Sequence, residues 1–145
     1  MKARIEPSIA RGKIVVPPSK SYAHRLLITS MLSKEVCTIS NIALSSDILA
    51  SIGCIKTLGK KVTILDEEVN KKLIIEQDDL KQEELVFDCN ESGSTLRFFI
   101  PIALTLGKKV KFIGTEKLIS RGIAPYEEIC EKQNIQVIKE KTSIT

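Results

Sequence analysis

The sequence predicts an α/β (α+β) fold made of two copies of a strand-helix-strand-helix-strand unit. Three observations point there. Apolar residues make up 43% of the 145 positions, yet aromatics are only 4% and Trp is absent. The core is therefore expected to be aliphatic, as in sheets covered by helices. Helical and extended patterns alternate along the chain, which favours sheet-and-helix layers. Two Ser-rich helix starts place Arg25 and Arg97 72 positions apart, and each is followed by strand, helix, strand. A period that long exceeds a solenoid repeat and implies two pseudo-symmetric subdomains.

Taken in order, Met1 to Glu6 alternates weakly, and Lys13 to Val16 reads as a short strand after the Arg11-Gly12 turn. Pro17-Pro18 ends that strand and Ser19 caps a helix to Ser33, with Ala23, Leu26, Leu27, Ser30 and Met31 on its inner stripe. Val36 to Ile42 is a strand. Ser46-Asp47 opens a second helix with Leu49, Ile52, Ile55 and Leu58 inward and Gly59 at its stop. Lys61 to Leu65 and Lys72 to Glu76 form a hairpin across Asp66-Glu67-Glu68, and Asp78 to Glu84 is an acidic solvated connection without calcium-loop spacing.

The order then restarts with a strand from Leu85 to Cys89. A helix follows to about Leu106, offering Phe98, Phe99, Ile102 and Leu106 to the core; Pro101 should kink it or mark a late start. Lys108 to Ile113 is a strand, Gly114 to Ala124 a loop carrying Arg121, Pro125 to Lys132 a helix, and Ile135 to Ile138 a strand. The tail from Lys139 is polar and gives no basis for assigning an element. Leu-Gly-Lys-Lys-Val occurs twice, at 58–62 and 106–110. It falls at different places in the two units and reads as shared helix-to-strand turn chemistry.

Composition excludes several classes. Net charge is +4, compatible with small anionic ligands and modest beside dedicated nucleic-acid binders; no aromatic interleaving supports an RNA surface. Cys37, Cys54, Cys89 and Cys130 stand 17, 35 and 41 residues apart with one His in the chain. That spacing does not make a zinc site. No apolar run approaches the ~20 residues of a membrane span and no signal-peptide pattern opens the chain. The expectation is a cytoplasmic protein with reduced thiols.

Three stretches carry candidate chemistry. Lys20 stands in a helix first turn, where the dipole disfavours a cation by several tenths of a kcal/mol, and Ser21 and Arg25 share one face at i, i+4. The group suits an oxyanion-rich ligand; a solvated basic turn is the plain alternative. Ser92-Gly93-Ser94-Thr95 before a helix offers N–H groups, a glycine and hydroxyls to a phosphate, or a simple cap. Arg121 lies between Ser120 and Gly122 as a third anion-competent group or a solvated loop residue. His24, without a triad partner, reads as a packed or hydrogen-bonded helix residue, and Tyr22 as packing.

Pro17-Pro18-Ser19-Lys20-Ser21 with His24-Arg25-Leu26-Leu27, then Glu91-Ser92-Gly93-Ser94-Thr95-Leu96-Arg97, then Leu118-Ile119-Ser120-Arg121-Gly122-Ile123-Ala124-Pro125, resemble the N-terminal part of the 5-enolpyruvylshikimate-3-phosphate (EPSP) synthase family. These are the 3-phosphoshikimate 1-carboxyvinyltransferases of aromatic amino-acid biosynthesis, the target of glyphosate. The sister enzymes acting on UDP-N-acetylglucosamine are less similar, having Lys-Asn where this chain has Lys20-Ser21.

The resemblance implies an inside-out barrel of two halves, each of three βαβαββ units. Residues 1–19 would belong to the other half, 20–84 to a first unit and 85–145 to a second. The third unit and the C-terminal half would come from elsewhere, so the chain alone is expected to be an inactive fragment or a non-catalytic anion-binding half-domain. The complete enzyme is expected to be a monomer, with shikimate 3-phosphate and phosphoenolpyruvate as its partners and no cofactor or metal. Lys20 would be catalytic and touch both substrates, and Ser21 and Arg25 would hold the shikimate side. Gly93 N–H and Arg121 would hold the phosphate of phosphoenolpyruvate, with Arg97 in support. Two positions depart from the pattern: Glu91 stands where many members have Asn, and Gly122 where Pro is usual.

Overall fold

Among the described residues, six short strands and five helices are laid out around one continuous hydrophobic core in the computed structural model, which describes residues 4, 6, 7, 9, 11–78 and 84–145. Most of the Met1–Glu6 alternation and residues 79–83 of the acidic connection lie outside the described residues. In chain order the elements are α1 (Lys20–Leu32), β1 (Cys37–Ile42), α2 (Ser46–Thr57), β2 (Lys60–Asp66), β3 (Lys71–Gln77), β4 (Leu85–Asp88), α3 (Gly93–Thr105), β5 (Val110–Ile113), α4 (Glu116–Ser120), α5 (Ala124–Lys132) and β6 (Ser143–Ile144).

Two three-stranded sheets result. The first is antiparallel in the order β1-β3-β2, with the β2–β3 hairpin paired from Lys60↔Gln77 to Asp66↔Lys71. A bulge between Ile39 and Ile42 puts Asn41 at φ 56°, and Glu67 Oε2 accepts the Asn41 N–H at 3.1 Å. In the second sheet β4 and β5 run parallel and β6 joins β5 antiparallel. The alternating helix and strand order predicted from the sequence is present, and so is the hairpin.

Local chemistry accounts for the element ends. The hydroxyls of Ser19, Ser45, Ser92 and Thr115 each accept a backbone N–H from the first turn of the helix they precede. Both Leu-Gly-Lys-Lys-Val copies are helix-to-strand turns, with Gly59 at φ 80° and Gly107 at φ 61°, the left-handed conformation that a helix stop requires.

Three expectations are corrected. Lys13 to Val16 is not a strand: Ile14, Val15 and Val16 are exposed, and no strand among the described residues supplies ladder partners. Gly114 to Ala124 is not all loop, since the Thr115 cap and Glu116 start the single turn α4, leaving Arg121 at its C-cap. Ile135 to Ile138 forms no strand of its own, although Ile138 exchanges two backbone hydrogen bonds with Thr145. The tail after Lys139, for which the sequence assigns no element, contains β6, because Phe112 and Ile113 offer it a sheet edge.

The buried helix faces also differ in detail. α2 buries Ile48, Ser51, Ile52, Cys54 and Ile55, while Leu49 is exposed and Leu58 half-buried. α3 buries Leu96, Phe99, Ile100 and Ala103; Phe98, Ile102 and Leu106 are only partly covered. The core is not purely aliphatic. Phe87 sits 5.5 Å from Phe99 and 5.1 Å from Phe112, centroid to centroid, tying β4 to α3 and β5. Removing the fully buried Phe87 ring would cost ~3–5 kcal/mol.

α3 runs unbroken through Pro101 from Gly93, so the proline does not mark a late start. Its missing N–H releases the carbonyl of Arg97, one turn earlier, from the helix ladder. Tyr126 of α5 donates its hydroxyl to that carbonyl at 2.9 Å.

Candidate anion site

The starts of α1, α2 and α3 form one corner of the molecule. An open pocket of about 540 Å³ lies there, lined by Asp47, Glu91, Gly93, Ser94, Arg97, Phe98 and Arg121. Gly93 explains how two guanidinium groups share it. A side-chain carbon at that position would stand 2.8 Å from Arg97 Nη1 and 3.7 Å from Arg121 Nη1, so the bare glycine leaves room for both. Arg97 Nη1 donates to the Gly93 carbonyl at 3.3 Å. The Ser92 hydroxyl caps α3 internally through Thr95 N–H, leaving Gly93 in the helix's first turn.

Lys20 and Arg25 reach the rim through residues that line the pocket. Lys20 Nζ sits 2.6 Å from Asp47 Oδ2, with the Lys20 side chain 54% exposed. The Arg25 guanidinium lies 5.7 Å above the centre of the Phe98 ring and donates to the Ser21 carbonyl at 2.8 Å. Ser21 is exposed on the same turn. Of the residues singled out from sequence, Gly93, Ser94, Arg97 and Arg121 line the pocket; Lys20 and Arg25 touch its lining residues Asp47 and Phe98, and Ser21 is not part of the lining.

The structure adds residues that sequence patterns did not single out. Asp47 reads in the sequence only as a helix-start acid, yet it neutralises Lys20. Phe98 reads as core, yet it seats Arg25. Ser51 interrupts the apolar face of α2 one turn after Asp47, and its hydroxyl lies 2.8 Å from His24 Nδ1. His24 is thus a hydrogen-bonded core residue. Burial lowers its pKa from the usual 6.5, and Lys20 and Arg25 act in the same direction against Asp47.

Two departures from the expected pattern acquire geometry. The Glu91 carboxylate borders the same pocket as the two arginines. Gly122 adopts φ 69°, which glycine takes freely and the fixed ring of proline forbids, so the chain leaves Arg121 by a turn that a proline at this position could not make. Elsewhere, a hydrogen bond with Cys89 and burial push the Cys54 thiol far up, keeping it protonated and unsuited as a nucleophile.

Comparison with known proteins agrees with this corner's motifs. The chain is 44% identical over 144 residues to the 3-phosphoshikimate 1-carboxyvinyltransferase of Clostridium perfringens strain SM101, a match covering 99% of this chain and 33% of that protein. It is 44% identical over 140 residues to the enzyme of the same name from Clostridioides difficile strain 630, covering 92% and 32%. The chain therefore spans about a third of the length of these relatives. Its fold resembles that of EPSP synthase from Acinetobacter baumannii, with a TM-score of 0.64 at 19% identity, over 92% of this chain and 32% of that one. The profile of the EPSP synthase (3-phosphoshikimate 1-carboxyvinyltransferase) family matches residues 6–144, and the chain belongs to that family.

Proposed function

We propose that this chain supplies one wall of the active site of a 3-phosphoshikimate 1-carboxyvinyltransferase. The observation that supports it most directly is the pair of guanidinium groups, Arg97 and Arg121, brought together over Gly93, with the Lys20 ammonium at the pocket rim. The reaction joins the 5-hydroxyl of shikimate 3-phosphate to C2 of phosphoenolpyruvate, protonates C3, and expels phosphate from the tetrahedral intermediate. No redox step or organic carrier is needed.

Both substrates carry several negative charges, so bringing them together costs Coulomb repulsion that fixed cations and N–H dipoles offset. Arg121 and the Gly93 N–H hold the phosphate of phosphoenolpyruvate, and Arg97 supports them. Ser21 and Arg25 take the shikimate side. Lys20, a compact charge with three donors, turns from Asp47 to touch both substrates.

In this reading residues 1–19 pack with the other half of the enzyme, and 20–84 and 85–145 are successive βαβαββ units. The third unit and the C-terminal half carry the remaining substrate groups, so the 145 residues alone bind without turnover. The complete enzyme works as a cytoplasmic monomer.

Titration of the chain with shikimate 3-phosphate and with inorganic phosphate, followed by amide NMR, tests the reading. Shifts should cluster at Lys20, Ser21, Gly93 and Arg121. A phosphate-release assay should show no turnover by the chain alone. Shifts absent from this corner, or spread over outer surfaces, would remove the assignment.

A further inference from the structure

A buried string of hydroxyls joins the three helices behind the anion pocket. His24 of α1 is 1% exposed and its Nδ1 lies 2.8 Å from Ser51 Oγ on α2. Ser51 Oγ lies 2.8 Å from Thr95 Oγ1 on α3. Thr95 Oγ1 in turn lies 2.7 Å from Ser92 Oγ and 3.3 Å from the Asp47 carbonyl. Every member is buried apart from Asp47, which is partly covered.

The hydrogens along this string have a direction. A carbonyl only accepts, so the Thr95 hydroxyl directs its hydrogen toward the Asp47 carbonyl and Ser92 Oγ. With the Thr95 hydrogen placed there, Ser51 is left to donate to Thr95 and to accept from His24, which assigns the imidazole the Nδ1–H tautomer. An independent feature agrees: Nε2 is buried and has no hydrogen-bond partner among the described residues. A bare lone pair costs less there than a stranded N–H.

We propose that His24 is a positioning residue whose relay through Ser51 and Thr95 registers α1 against the starts of α2 and α3. It thereby sets the spacing between Lys20 and the Gly93, Arg97 and Arg121 pocket. This inference rests on the anion-site reading for its consequence, though not for its geometry. The charged groups facing the ring are Lys20 and Arg25 from its own helix and Asp47 from α2; α3 presents the Phe98 ring at 6.2 Å.

The chain has one histidine, so its ring nitrogens give a single pair of ¹⁵N signals. At neutral pH these should show a protonated Nδ1 and a bare Nε2; the opposite tautomer or a charged ring overturns the relay. Thr95→Val keeps the side-chain shape and removes the hydroxyl, while Thr95→Ser restores it. The valine variant should shift the Lys20 amide signal, on a different helix, and weaken inorganic phosphate binding by about tenfold, or ~1.4 kcal/mol.

Thr95→Ser should recover both, and Ser51→Ala should repeat the loss if Thr95→Val fails to fold. An unmoved Lys20 signal in the folded variant lacking a hydroxyl, or a serine variant no better than valine, overturns the positioning role. Absence of phosphate binding by the unaltered chain would sink the anion-site reading, while the tautomer and the Lys20 signal still decide the relay.

Discussion

Tyr126 donates its hydroxyl at 2.9 Å to the Arg97 carbonyl, the one acceptor that Pro101 frees within α3. A helix carbonyl without its ladder partner is thereby used to fasten α5 to α3, one turn from the pocket. Tyr126→Phe should cost ~1 kcal/mol of stability by stranding that carbonyl. In a Pro101→Ala background, where the ladder donor returns, the same change should cost clearly less. A denaturant double-mutant cycle with no coupling would show that the two positions act separately.

Gly93→Ala should separate stability from binding. The added methyl meets the tip of Arg97, a flexible side chain that can swing aside, so the melting midpoint should change little. Displacement of that guanidinium should weaken inorganic phosphate binding about tenfold, ~1.4 kcal/mol, in isothermal titration. Unchanged affinity would mean that Arg97 does not face the ligand.

Glu91→Gln should act in the opposite direction. Its carboxylate borders a pocket built around two arginines, and neutralising it removes a repulsion of ~1 kcal/mol against an anion in the water-like dielectric of an open pocket. Phosphate should bind several-fold more tightly at low salt, with the gain shrinking at high ionic strength. A loss of affinity would instead make Glu91 a group that orders the arginines.

Lys20→Met, introduced into a complete enzyme, should remove ~3 kcal/mol of transition-state stabilisation, as loss of one preorganised donor does at other polar sites. The readout is kcat/KM. An unaltered value would place Lys20 outside the reaction.

His24 should make stability depend on pH in a definite direction. Burial, with Lys20 and Arg25, lowers its folded pKa from 6.5. Well above pH 6.5 both folded and unfolded rings are neutral and the group contributes no slope. As pH falls below 6.5 the unfolded chain takes up a proton that the folded chain refuses, so stability declines. His24→Gln should flatten that decline in denaturant melts between pH 6.5 and the onset of carboxylate titration. An equal slope in both proteins would contradict the buried neutral ring.

What the sequence revealed and what it hid follow from the range of the forces involved. Helix starts were legible because Ser19 and Ser92 cap within three residues, and the hairpin because its strands are neighbours in sequence. The run Lys13 to Val16 misled because strand propensity is local whereas a ladder needs a partner. β6 was hidden for the converse reason: only the distant β5 makes Ser143–Ile144 extended.

The site divides likewise. Gly93, Arg97 and Arg121 were visible as anion-competent residue types, but their meeting at one pocket depends on the packing of α3 and α4. The Asp47–Lys20 pair and the Ser51–Thr95 link span 27 and 44 residues, distances over which no periodicity speaks.

The first sheet ends at β1, whose outer backbone groups face no strand among the described residues. The central strands, β3 in this sheet and β5 in the second, are flanked on both sides. Cys37–Ile42 thus presents a ready template for chain-to-chain strand addition, with only the bulge at Asn41 to deter it. Concentrated solutions of these 145 residues should self-associate through that margin, and a lysine placed outward at Thr38 or Ser40 should keep them dispersed.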